Sequence, residues 1–132
     1  GARVHMTDIA IRRLEFARGE GEALATGRVR LDAAGPEYNL FLLWMPQQAS
    51  WVLDMSTTDG RTIVSGAWVR DRVDCLLGVS SDGRPSGGIM AYDPKRRGDP
   101  GPNAWSTDGV AMYYVPGGLN PADFAAYATA VA

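Results

Sequence analysis

The stretch from Tyr38 to Gly66, YNLFLLWMPQQASWVLDMSTTDGRTIVSG, leaves this chain few folds to choose from. Tyr38 to Met45 is an apolar run interrupted only by Asn39, and Pro46-Gln47-Gln48-Ala49-Ser50 supplies a polar turn after it. Trp51, Leu53 and Met55 then alternate with Val52 and Asp54, the period-2 pattern of a strand with unequal faces. Thr57-Thr58-Asp59-Gly60 separates this segment from Arg61–Ser65, which ends at Gly66. An Asp-Gly pair between alternating segments is a strong hairpin signal, because glycine takes positive φ without steric cost. The stretch reads as three consecutive strands of a tight antiparallel meander.

The flanking sequence extends the same pattern. Thr7 to Phe16 alternates on either side of Arg12-Arg13, as a strand broken or bulged at the arginines would, with a short helix as the competing reading. Arg28–Asp32, Val73–Val79, Ile89–Tyr92 and Val110–Val115 each have the length and apolar content of a strand. The form [ST]-[ST]-Asp-Gly recurs at Thr57–Gly60, Ser80–Gly83 and Ser106–Gly109. These are read as turns, since the ligand spacing of a calcium loop is missing. The tail changes period. Asn120 suits an N-cap, Pro121 a first helical position and Asp123 a first turn. Phe124, Tyr127 and Val131 fall on one helical face. The expected fold is all-β, a sandwich or small antiparallel barrel of about five to seven short strands with a short C-terminal helix. Residues 1–5 read as a vector-derived remnant before Met6, residues 6–118 as a single β domain and residues 119–132 as the helical tail.

Charge and residue inventory narrow the chemistry. A net charge of −2 and a pI near 5.3 argue against a general nucleic-acid or anionic-membrane binder. No apolar run is long enough for a membrane-spanning helix, and no leader pattern opens the chain, so neither a membrane anchor nor a secretory signal is expected. One cysteine excludes an intramolecular disulfide and any multi-cysteine metal site. Cys75 sits in an apolar run and reads as a small buried hydrophobe rather than a nucleophile. His5 is the only histidine and falls in the presumed remnant, which leaves no histidine base, triad or metal ligand. Asp54 reads as the solvent-facing member of a half-buried strand. With no phosphate loop, zinc motif or nucleophile elbow present, the residues assign no catalytic group, no metal ligand and no cofactor.

Several segments together resemble one known family. Tyr38-Asn39-Leu40-Phe41-Leu42-Leu43-Trp44, Trp51–Met55 and Asp59–Gly66 are similar to the core of the phage baseplate plug family, small tail proteins with an OB-like barrel. Asp74-Cys75-Leu76-Leu77, Gly88–Asp93 and Val110–Pro116 continue the resemblance in order, over roughly Tyr38 to Pro116. The longer Asp93–Gly109 loop and the alanine-rich tail depart from it. The resemblance implies a non-enzymatic virion component in a tail baseplate, assembled in the bacterial host cytoplasm. It would contact tail tube, hub or spike proteins, and copies of itself in the assembled tail. The Asp93–Gly109 loop, with Lys95, Arg96, Arg97 and Trp105, and the tail, with Phe124 and Tyr127, are the expected partner contacts. The alternative is a binding module for single-stranded nucleic acid or a glycan, with Trp44, Trp51, Trp68 and Trp105 stacking and Arg28, Arg30, Lys95, Arg96 and Arg97 following phosphates.

Overall fold

The computed structural model describes residues 12–18, 23–106 and 109–117. Their strands are β1 (Arg12–Leu14), β2 (Ala17–Arg18), β3 (Leu24–Ala25), β4 (Val29–Arg30), β5 (Glu37–Met45), β6 (Ser50–Thr57), β7 (Thr62–Trp68), β8 (Gly88–Tyr92) and β9 (Ala111–Val115). The meander read from the sequence forms as β5, β6 and β7. Tyr38 stands opposite Thr57 and Met45 opposite Ser50, so the β5–β6 ladder runs without a slip. At the Asp-Gly turn, Gly60 takes a φ of 100° and the Thr57 hydroxyl donates to the Asp59 carboxylate. The β6–β7 ladder carries two register shifts. Gly66 lies in this irregular region at φ 69°, and its N–H donates to Asp54 Oδ1 at 2.7 Å. Asp54 is therefore the outward carboxylate the alternation suggested, holding a bulge.

Two antiparallel sheets result. Six strands form one in the order β2-β3-β5-β6-β7, with β4 also paired to β5, and the other has the order β1-β9-β8. Leu40, Leu42, Leu53, Met55 and Ile63 of the larger sheet share one core with Leu14, Ile89, Ala91, Met112 and Tyr114 of the smaller. The expected OB-like barrel is not formed, because the sheets remain open and meet through side chains. The reason lies at the edge of β8, where a closing strand would pair. The connecting segment occupies that edge: Arg72 N–H donates to Ala91 O at 2.8 Å and Cys75 N–H to Ile89 O at 2.7 Å. Asp71 adds an isolated parallel bridge to Ala91.

Val73–Val79, expected as a strand, is a series of turns. Its apolar residues are explained by burial of Cys75 and Leu76, while Leu77 is 78% exposed. Asp74 organises the segment, its Oδ1 accepting from Leu76 N–H at 2.8 Å and Ile89 N–H at 3.0 Å. Of the other Asp-Gly turns, Ser80–Gly83 bends within the β7–β8 connection, with Gly83 at φ 86°, and Ser106–Gly109 is only partly described. Among the described residues the one helical element is the 3-10 turn Ala104–Ser106. The expected helix at 119–132 lies outside the described residues.

Candidate interaction surfaces

The side of the six-stranded sheet turned away from the core carries an apolar row. Leu43 stands opposite Val52, and Val52 opposite Trp68, so three strands place these side chains in line. Phe41 and Met45 flank Leu43 on β5, each 39% exposed, and Trp68 is 55% exposed. The Arg70 guanidinium lies 4.7 Å over the Trp68 ring and pairs with Asp99 at 3.7 Å. A cation over an indole face favours one ring orientation, and here it keeps the indole at the surface beside the long loop. Contiguous exposed apolar side chains of this kind mark protein contact surfaces.

The Asp93–Ser106 part of that loop is built on one carboxylate. Asp93 is almost fully buried and accepts from Lys95 N–H at 2.9 Å, Arg97 N–H at 3.0 Å, and Arg97 Nε and Nη2 at 2.9 Å each. The paired bonds from Arg97 hold the Asp93 carboxyl well below the usual carboxylate range, against burial, which pushes the other way. Lys95 and Arg96 remain exposed at the loop surface, Arg96 at φ 50°. Arg97 is committed to Asp93 instead of facing outward as a free cation. Trp105 is half-buried, edge-on to Trp51 at 5.7 Å, and Trp51 is edge-on to Trp44 at 5.6 Å. Trp51 Nε1 also donates to Gly101 O at 2.7 Å, which pins the loop to β6. The structure thus separates the four loop residues: Lys95 and Arg96 are exposed, Arg97 is exposed but bonded to Asp93, and Trp105 is half-buried against Trp51. Phe124 and Tyr127 lie outside the described residues.

A second surface is basic. Arg12, Arg13, Arg28 and Arg30 line a groove of about 660 Å³ with Val29 and Leu31. Arg13 pairs with Glu15 at 3.7 Å. Arg12 donates to Arg30 O, and Arg30 to Gly35 O at 2.5 Å. Arg28 holds a φ of 41°, its N–H donating to Asn39 Oδ1 at 3.0 Å. Among the described residues, Arg12, Arg28 and Arg30 have no carboxylate partner. Such guanidinium forks suit carboxylate or phosphate groups. Arg28 and Arg30 belong to this groove, whereas Lys95 and Arg96 project from the other loop, so the cations expected to follow one phosphate chain do not line one pocket.

Among the described residues, reactive chemistry finds no comparable arrangement. Cys75 is buried, and that burial, with Asp74 beside it, pushes its thiol up to about 12. The thiolate that a nucleophile needs is thereby suppressed. Among the described residues no group of three His, Cys, Asp or Glu side chains is placed to hold a metal ion. Reasoning from sequence missed the outward apolar row. Its signal was present, because Tyr38–Met45 is apolar at odd and even positions although neighbouring β6 has one apolar and one mixed face.

The family model described as "Cyanophage baseplate Pam3 plug gp18" matches residues 22–117, which span β3 to β9 and therefore both surfaces except for Arg12 and Arg13. No curated protein and no solved structure matches the chain significantly.

Proposed function

Because the chain belongs to the cyanophage baseplate Pam3 plug gp18 family, we propose that it is a structural part of a phage tail baseplate that works by protein–protein contact. Its place is the virion tail, reached by assembly in the host cytoplasm, and its partners are tail tube, hub or spike proteins. The observation that carries the contact reading is the Leu43–Val52–Trp68 row, which presents an exposed indole at the end of an apolar row on the outward sheet face. Tryptophan is the residue type most often found as an interface anchor. Lys95 and Arg96 on the long loop, and the arginine groove, supply polar contacts around that centre. Packing of Trp44, Trp51 and Trp105 against one another counts against the nucleic-acid alternative, because a stacking platform needs several exposed rings.

The test uses the purified full chain immobilised and presented with disassembled tail proteins from its phage, retained species being identified by mass spectrometry. Tail tube, hub or spike proteins are expected on the wild type. Trp68→Glu is expected to weaken their retention at least about tenfold, as loss of an interface anchor does, with an unchanged thermal midpoint. Equal retention by Trp68→Glu would remove the apolar row from the reading. A salt-sensitive tryptophan fluorescence change with an oligonucleotide, and no retained tail protein, would replace the baseplate role with the nucleic-acid one.

A further inference from the structure

We propose that the arginine groove takes an acidic, extended segment of a partner protein, whose carboxylates occupy the guanidinium forks of Arg12, Arg28 and Arg30. This deepens the baseplate reading and rests on it for the identity of the partner. The groove lies at the edge of the smaller sheet opposite β8, where β1 and β4 come together without pairing. Among the described residues each of them is hydrogen-bonded to a strand on one side only. The Arg12 side chain crosses the gap between them to reach Arg30 O. At β8 the connecting segment supplies backbone partners, and among the described residues no segment does so along β1 and β4. Strand edges of this kind present both N–H and C=O groups, and an extended peptide can meet both.

The positive charge of the groove is not balanced from within. Of its four arginines only Arg13 is paired with a carboxylate, that of Glu15. Asp32 also lines the groove, but its carboxylate accepts from Ser86 and Tyr114. Glu37 stands opposite Arg30 in the β4–β5 ladder without an ion pair, and the Arg30 guanidinium donates to Gly35 O at 2.5 Å instead. Arg28 is held in place by the backbone. Its φ of 41° follows Gly27 at 62°, and this left-handed pair interrupts the chain between β3 and β4 and leaves Arg28 exposed. Three uncompensated guanidinium groups thus share one groove on a chain whose net charge is −2. Such a distribution repels a long polyanion and still attracts a short acidic segment. No aromatic side chain stands among the described lining residues, so nucleic-acid bases find no stacking platform there.

The test follows the fluorescence anisotropy of a labelled octaglutamate peptide titrated with the purified full chain, beside an equally labelled octathymidylate. Wild type is expected to bind octaglutamate, more weakly as salt is raised. Arg12→Gln/Arg28→Gln/Arg30→Gln is expected to lower that affinity at least about tenfold. Arg28→Gln alone leaves the carbonyl bonds of Arg12 and Arg30 in place, and is expected to lower affinity about threefold at an unchanged thermal midpoint. Lys95→Gln/Arg96→Gln, on the other loop, is expected to stay within about twofold of wild type. Octaglutamate binding unchanged in both groove variants would overturn the proposal. Octathymidylate bound more tightly than octaglutamate would also overturn it, making the groove a phosphate site. Disassembled tail proteins presented to the same variants separate this proposal from the baseplate reading. Tail proteins retained equally by wild type and groove variants would remove the groove and leave the baseplate role standing. Octaglutamate binding that is lost in the groove variants, with no tail protein retained by wild type, would keep the acidic-peptide site and remove the baseplate role.

Discussion

The smaller sheet is tied to the β4–β5 turn through one phenol. Tyr114, fully buried, donates to Asp32 Oδ1 at 2.5 Å and accepts from Gly87 N–H at 3.0 Å. Asp32 also accepts from Ser86, through its N–H at 2.8 Å and its hydroxyl at 3.1 Å. Burial would raise the Asp32 pKa, but the bonds from Tyr114 and Ser86 outweigh it and the carboxyl lies below its ordinary value. Burial and the same carboxylate push the Tyr114 phenol up to about 12. Close approach makes the arrangement intolerant of bulk, since a Cβ on Gly87 would stand 1.9 Å from Val115 O. Tyr114→Phe removes the hydroxyl and leaves the Gly87 N–H without its acceptor. The expected loss is about 1–3 kcal/mol, the usual consequence of orphaning a buried donor. A urea midpoint lowered with unchanged slope would agree; an unchanged midpoint would mean that water replaces the hydroxyl.

Among the elements, the Asp93 loop has the clearest dependence on pH. A carboxyl whose folded pKa is depressed stabilises the fold fully above its unfolded value, near 4, and that contribution disappears as pH falls through the folded value. Stability is therefore expected to fall below about pH 4, with Asp93 and Asp32 acting in the same direction. Asp93→Asn should cost about 1–2 kcal/mol at pH 7, because Arg97 is 40% exposed and water screens part of the pair. The variant should also show a shallower acid limb, keeping the Asp32 and Asp59 parts, in thermal midpoints measured from pH 7 to pH 2. An acid limb as steep as wild type would assign it to other carboxylates. Asp93-Pro94-Lys95-Arg96-Arg97 reads as one basic cluster, and what sets Arg97 apart is the local turn that brings its guanidinium onto the Asp93 carboxylate four residues earlier. The meander was legible because Asp59-Gly60 and the alternation of β6 are local signals that tertiary packing left intact. Val73–Val79 misled because burial, not pairing, selects its apolar residues, and Asp74 caps turns there. Sheet closure was not legible at all. It depends on whether Arg72 and Cys75, rather than a strand, pair with β8.

At the scale of the whole molecule, folding and the proposed docking use opposite faces of the same strands. On β5, Leu42 faces the core at 1% exposure, while its neighbour Leu43 stands in the outward row against Val52. The two differ in sequence position by one, and in a strand one position is the difference between faces. Leu42→Ala empties a packed site and should lower stability by about 2–5 kcal/mol. Its effect on partner binding should be confined to the fraction unfolded. Leu43→Ala removes a half-buried group from a wet face, so its stability cost should stay below about 1 kcal/mol. Its binding loss should persist when both proteins are fully folded. Urea melts and partner titrations on the two variants, run at a temperature where each is native, separate the two quantities. If Leu43→Ala destabilises as much as Leu42→Ala and leaves binding intact, the outward row is a second core surface covered within the chain. The partner would then have to be sought at the arginine groove and the exposed Lys95-Arg96 end of the loop.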